Sequence, residues 1–322
     1  RMGIPNILHD DVPVGEDDQK NTLLSLHGEK SEMKFEPRNH NDLIELNGWV
    51  DLSRGAKVAG SRFYFMQGDL ARLDMALQQY GSDFLIERGY TLVQPPLMMN
   101  REAYEGVTDL SDFETVMYGI KPDEYYLIAT SEHPLTAMRM DEIIEPSELP
   151  IKLVGVSPCF RREVGAHGLS DRGIWRVHQF TKVEQIVICN PDESWDHHED
   201  LLTNAIDLWD SLGLHYRVVN ICTGDMGTVA SRKYDLEAWL PGAGSYKEVV
   251  SCSNCTDYQA NRLRMRYRTS EGNSAVHTLN STAIATSRAL VAIMEQYQNE
   301  DGTVAVPEVL RPYMGKEILE SL

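Results

Sequence analysis

The chain has 322 residues, enough for one large domain or two small ones, and its apolar fraction of 42% is normal for a packed globular protein. No run approaches the ~20 apolar residues of a membrane span and the polar N-terminus does not read as a signal peptide, so no membrane segment is expected. A formal charge of −19 argues against a surface built for non-specific nucleic-acid binding, though it leaves room for a local basic site.

Residues 1–45 are polar and acid-rich ("HDDVPVGEDDQKN") with weak periodicity, and read as a linker or the end of an element whose beginning is absent. From about Gly60 the pattern tightens. Leu70, Leu73, Leu77, Tyr80 and Phe84 recur at helical spacing, Gly89 stops that helix, and a short extended run Thr91–Gln94 ends at Pro95–Pro96. Alternating runs at 152–163, 175–189 and 215–222 predict strands, and further helices are expected at Glu199–Leu212 and Ser281–Tyr297. Long antiparallel strands with helices to one side make an α+β domain. Cys159, Cys189, Cys222, Cys252 and Cys255 are too few and too scattered for a disulfide framework, which points to a reducing cytoplasm.

One stretch concentrates chemistry: "FRREVGAHGLSDRGIWRVHQFTKVE", residues 160–184. Alternate residues of a strand share a face. One face would carry Arg176, His178, Phe180, Lys182 and Glu184, and the other Trp175, Val177, Gln179, Thr181 and Val183. Arg161 and Glu163 share a face of the preceding run, and Gly165, Gly168, Asp171–Arg172 and Gly173 mark the turn of a hairpin. Phe180 and Glu184 stand ~13 Å apart at ~3.3 Å per residue, the length of an adenosine phosphate joined to a small amino acid. Arginine offers phosphate a planar, always-charged fork, an aromatic ring stacks on a base, and a carboxylate holds an ammonium or a hydroxyl. A solvated strand face laced with salt bridges is the competing reading from spacing alone.

That stretch resembles motif 2 of the class II aminoacyl-tRNA synthetases, most closely the seryl-tRNA synthetases. "GSRFYFMQGDLARLDMAL…GYTLVQPPLM" resembles motif 1, "LIATSEHPLT" the serine-binding loop, "YKEVVSCSNCTDYQANRL" the metal-proximal strand, and "HTLNSTAIATSRALVAIMEQYQ" motif 3 in archaeal and eukaryotic wording. The resemblance covers about residues 45–322 in the expected order. It implies a class II synthetase fold, an antiparallel sheet of six or seven strands flanked by helices, with 46–322 as the catalytic domain. It also implies that serine and ATP give seryl-adenylate and pyrophosphate, and that the seryl group then passes to the terminal ribose of tRNA(Ser), and of tRNA(Sec) where present.

Carried over by position, Arg161 bridges the α-phosphate and the serine carboxylate, and with Arg288 is the catalytic pair. Arg176 and Arg288 hold the β- and γ-phosphates and Phe180 stacks on adenine. Glu163 and Val177 complete the ATP site, and Glu248 and Ser251 ligate Mg²⁺. Thr130 and Glu132 take the α-amino group; Glu184, Thr282 and Asn280 read the serine hydroxyl. A homodimer through motif 1 is also implied.

Other signals are read as structural. "CSNC" (Cys252–Cys255) is a single C-x-x-C, read as free thiols at a strand edge, so no zinc is expected. "DHHED" (Asp196–Asp200) is read as a solvated helix cap, no pairing marks His133, His167 or His178 as a general base, and Met98–Met99 are assigned to the core.

The family's N-terminal coiled coil, which grips the tRNA, is not in this sequence, so 1–45 is expected to be a remnant following that arm. Two alternatives share the fold: an armless ligase that loads an amino acid onto a carrier protein, and a non-catalytic dimeric paralogue. The first belongs with a zinc-dependent branch whose serine loop carries cysteine where Thr130 stands. The second would be expected to lose arginines that are present here.

Overall fold

The computed structural model describes residues 4–30, 32–109, 115–163 and 173–322. The turn of the predicted hairpin (164–172), with Gly165, His167, Gly168 and Asp171–Arg172, lies outside them. Among the described residues no helix is long and apolar enough to cross a membrane.

The centre is an eight-stranded sheet. Its strands are β1 (Thr22–His27), β2 (Thr91–Val93), β3 (Ile151–Phe160), β4 (Gln179–Cys189), β5 (Tyr216–Asn220), β6 (Arg232–Leu240), β7 (Ser245–Asn254) and β8 (His277–Ala285). They lie in the order β1-β5-β6-β7-β8-β4-β3-β2. Every neighbouring pair is antiparallel except β2 and β3. The class II fold therefore stands, with two differences from the expected six or seven antiparallel strands. The acid-rich N-terminal region contributes edge strand β1, whose TLLSLH has no buried residue and so no buried face to impose an alternation. The short run after the first long helix pairs in parallel, adding a mixed edge.

Five helices matter for the site: α1 (His40–Asn47), α2 (Gly68–Ile86), α3 (Glu132–Ala137), α4 (Ser194–Ser211) and α5 (Thr286–Gln296). In α2 the predicted stripe packs inward, with Leu70, Leu73 and Leu77 fully buried and Tyr80 and Phe84 half-buried, and Leu85, outside that stripe, is fully buried as well. Gly81 lets this helix lie on the sheet: a Cβ there would meet Ile284 at 3.0 Å and Val183 at 3.5 Å. Gly89, at φ 84°, turns the chain out of the helix into β2.

The helix expected from Ser281 instead begins at Thr286, after strand β8. Every residue from Thr278 to Ala285 is buried, because β8 lies between two strands and is covered on both faces. Such a strand has no polar alternation and so imitates a buried helix in sequence. Helix α4 starts earlier than expected and takes "DHHED" into its first turns. Its His198 is not a solvated cap: it is fully buried and stacks on Tyr234 at 4.9 Å. Met99 is buried as expected, whereas Met98 is 49% exposed.

Candidate active site

Strand β4 begins at Gln179, and residues 175–178 run outside the ladder, joined to the end of β3 by the bond from Arg161 N to His178 O (3.0 Å). Trp175 and Val177 pack inward, but both they and Arg176 border the same cleft as Phe180, Lys182 and Glu184. His178 does not. Its ring stacks on Phe63 at 5.0 Å, and its Nδ1 lies 2.8 Å from the Arg161 carbonyl and 2.7 Å from the Tyr118 hydroxyl.

Two irregularities open the sheet here. The β7–β8 ladder runs only from Asn254↔Leu279 to Cys252↔Ser281, so the next residues, Ser251 and Thr282, part company. The Glu248 carbonyl accepts instead from Arg288 in the first turn of α5, at 2.9 Å. Bulges in β8 between Thr282 and Ile284, and in β7 between Glu248 and Val250, re-aim Thr282 and Glu248. Thr282 is thereby set opposite Glu184.

The result is a cleft of about 550 Å³. All thirteen residues singled out from the sequence line it: Thr130, Glu132, Arg161, Glu163, Arg176, Val177, Phe180, Glu184, Glu248, Ser251, Asn280, Thr282 and Arg288.

One end is acidic and enclosed. Glu132 Oε1 accepts from Asn280 Nδ2 (3.0 Å) and Gln259 Nε2 (3.1 Å), while its backbone N–H donates to Thr130 Oγ1 at 3.2 Å. Burial, reinforced by the nearby Glu184 charge, pushes the Glu132 carboxyl up to about 7. Glu184 is also raised by burial, although Lys182 Nζ stands 2.7 Å from its Oε2. The salt bridge of the competing reading therefore exists at Glu184, but both of its members face the cleft. Burial, with Lys182 and Arg161 beside it, pushes His133 down to about 3. Its Nδ1 lies 3.0 Å from the Tyr104 hydroxyl.

The other end is rich in cations. Arg161 Nε donates to the Ala129 carbonyl (3.3 Å), and its guanidinium sits 5.4 Å from the Phe180 ring centre. Arg176 pairs with Glu163 at 3.2 Å, and Glu163 takes a left-handed φ of 47°, a local strain of the kind that collects at functional sites. Arg288 pairs with Glu248 at 3.1 Å. Burial alone would raise Glu248, but Arg288, Lys233 and Arg161 together outweigh it and hold the carboxyl low.

Oxygen chemistry suits a hard divalent cation here. The Glu248 carboxylate and the Ser251 hydroxyl line the cleft, and Asp235, buried across the ladder from Ser251, keeps its Oδ1 without a hydrogen-bond partner. Among the described residues no group of three or more His, Cys, Asp or Glu forms a metal cage. A cation held by Glu248 and Ser251 would draw its remaining oxygens from phosphate and water.

The sequence reading gave no role to Lys182 or Lys233, although both line the cleft, nor to Gln259, which supports Glu132. Lys182 stood on the named polar face and could have been found there. Lys233 reaches the cleft through the pairing of β6 with β7, and Gln259 through the short helix Tyr258–Arg262 that follows β7.

The chain is similar to proteins of known family. The family described as tRNA synthetase class II core domain (G, H, P, S and T) matches residues 117–297. The serine--tRNA ligase of Methanocorpusculum labreanum is 58% identical over 97% of this chain and 74% of its own length. The seryl-tRNA synthetase of Pyrococcus horikoshii, solved in complex with ATP, superposes with a TM-score of 0.97 at 48% identity, covering 100% of this chain and 77% of that one. The cytoplasmic enzyme of Naegleria fowleri, in complex with AMP, gives 0.95 at 42% identity over 99% and 77%. The chain belongs to the serine--tRNA ligases, aminoacyl-tRNA synthetases built on the class II core.

Proposed function

We propose that the cleft binds serine at its acidic end and ATP at its cationic end, and makes seryl-adenylate between them. The observation that carries this reading is the convergence of thirteen residues from five separate sequence segments on one cleft, in the polarity the two substrates require. The serine ammonium meets Glu132 and Thr130, and its hydroxyl meets Glu184, Thr282 and Asn280. The carboxylate, held by Arg161, attacks the α-phosphorus; a new P–O bond forms, the bond to the β-phosphate bridging oxygen breaks, and pyrophosphate leaves. Arg161 opposes the charge that builds at phosphorus, and Arg176 and Arg288 take the departing phosphates. Phe180 stacks on adenine, with Glu163 and Val177 completing the ATP site. No side chain acts as nucleophile; catalysis is positioning plus electrostatics.

Glu248 and Ser251 would hold Mg²⁺, which supplies charge neutralisation to the phosphates. In the second step the terminal ribose hydroxyl of tRNA(Ser) attacks the seryl carbonyl and AMP departs. Residues 46–322 form the catalytic unit in this reading. Five free, buried cysteines suit a reducing cytoplasm. A second copy is proposed to dock beside α2, where Phe65 and Met75 are 47% and 69% exposed next to a groove of about 330 Å³ lined by Phe63, Tyr64 and Met66.

Serine-dependent exchange of labelled pyrophosphate into ATP tests the first step. Exchange that needs serine and magnesium supports it; exchange driven equally by another amino acid, or none at all, overturns it.

A further inference from the structure

We infer that Asn6 is a positioning residue for the amino-acid end of the cleft, acting as a clasp from the N-terminal segment; this rests on the assignment of Glu132 to the serine ammonium. Asn6 is half-buried and touches chain more than two hundred residues away. Its backbone N–H donates to Thr228 O at 2.8 Å. Its side-chain amide nitrogen lies 2.9 Å from Val229 O, 2.8 Å from Cys255 O and 3.1 Å from Thr256 Oγ1, three acceptors for its two hydrogens. Three residues on, His9 N–H donates to Ser231 O at 3.0 Å, so the segment runs alongside 228–231.

What is clasped borders the cleft. Gly227 to Ala230 form one wall, in irregular backbone that precedes β6. Thr228 Oγ1 in that wall donates to Asp109 Oδ2 at 2.7 Å, and Asp109 also lines the cleft. Cys255, just past the end of β7, lies with its sulfur 3.5 Å from Asn280 Nδ2, the same amide that holds Glu132. One side chain thus ties the wall to the support of the ammonium carboxylate. Phe180 and Arg176, at the nucleotide end, take no part in this chain of bonds.

Asn6→Ala removes both amide hydrogens and with them the bond to Val229 O, while Cys255 O keeps the Tyr258 N–H at 3.1 Å and the Thr256 hydroxyl at 2.8 Å. The serine KM should rise about tenfold in pyrophosphate exchange, the worth of one to two lost hydrogen bonds, while the ATP KM stays within about twofold. Amide hydrogen exchange should quicken at Thr228–Ser231 and remain unchanged in β4. A parallel rise of both KM values, or an unmoved serine KM, overturns the positioning role. Asn6→Ser, milder in volume, is read in the same way if the alanine variant does not fold. Glu132→Gln in the same assay separates the two claims. If it leaves the serine KM alone, the ammonium assignment has failed; protection of Thr228–Ser231 that persists in Asn6→Ala then shows that the clasp has failed too.

Discussion

Replacing Glu132 by glutamine should stabilise the protein while disabling serine recognition. The carboxyl is pushed from an ordinary value near 4.5 up to about 7 by burial and by the Glu184 charge. Each tenfold change in proton affinity is worth about 1.4 kcal/mol, so ionising Glu132 in the folded protein costs at most about 3 kcal/mol. Water in the cleft screens part of this, and about 1–2 kcal/mol is the better expectation. Because the folded value is raised, stability from this group is fully present below pH ~4.5 and is lost as the pH rises through about 7. Glutamine escapes that loss, and its carbonyl can still accept from Asn280 and Gln259 where Glu132 Oε1 now does.

Urea midpoints should therefore coincide near pH 4.5, with the variant the more stable by about 1–2 kcal/mol at pH 8. Saturating serine should close the gap for the parent protein by supplying an ammonium counter-charge. In the same variant kcat/KM for serine should fall at least ~30-fold, the worth of a charge-assisted hydrogen bond of about 2 kcal/mol. In the parent it should decline below pH ~7 as Glu132 protonates. A variant whose advantage over the parent is no larger at pH 8 than at pH 4.5, or one that keeps the serine KM, would refute the reasoning.

Arg161→Lys keeps the charge but loses the fork, so activation should slow at least ~30-fold, about 2 kcal/mol, with ATP binding weakened less; near-parental exchange rates would count against its place on the α-phosphate. The parent should activate alanine and glycine at least ~10³-fold less well than serine, because a pocket built for a hydroxyl is left with unpaired polar groups. Glu184→Ala should collapse that ratio mainly by harming serine, and an unchanged preference would mean the hydroxyl is read elsewhere. Dialysis against a zinc-selective chelator should leave activity intact once magnesium is restored; stoichiometric zinc lost together with activity would contradict this. Light scattering at micromolar concentration should return twice the mass of the chain, and a monomer would remove the proposed contact beside α2.

The sequence by itself determined the pieces whose signal is local. The stripe of α2 was legible because neighbours three and four residues apart share a helix face, and Gly89 ends it by its own backbone freedom. The charges of 160–184 were legible because strand alternation sorts them onto a face, and Phe180, Lys182 and Glu184 do line the cleft together. What needed tertiary structure was whatever depends on which strands become neighbours. The last residues of strand β8, Ser281–Ala285, read as helix because their burial comes from β4 and β7, more than twenty residues away in sequence, and not from their own pattern. Strand β1 has no alternation to read and exists because β5 offers an unpaired edge. Lys233 joins the site across the β6–β7 ladder, Gln259 from the short helix that follows β7, and Asn6 reaches the cleft wall through hydrogen bonds spanning more than two hundred residues. The raised carboxyl of Glu132 is likewise a property of the assembled cleft, since the burial and the neighbouring charge that produce it are absent from the extended chain.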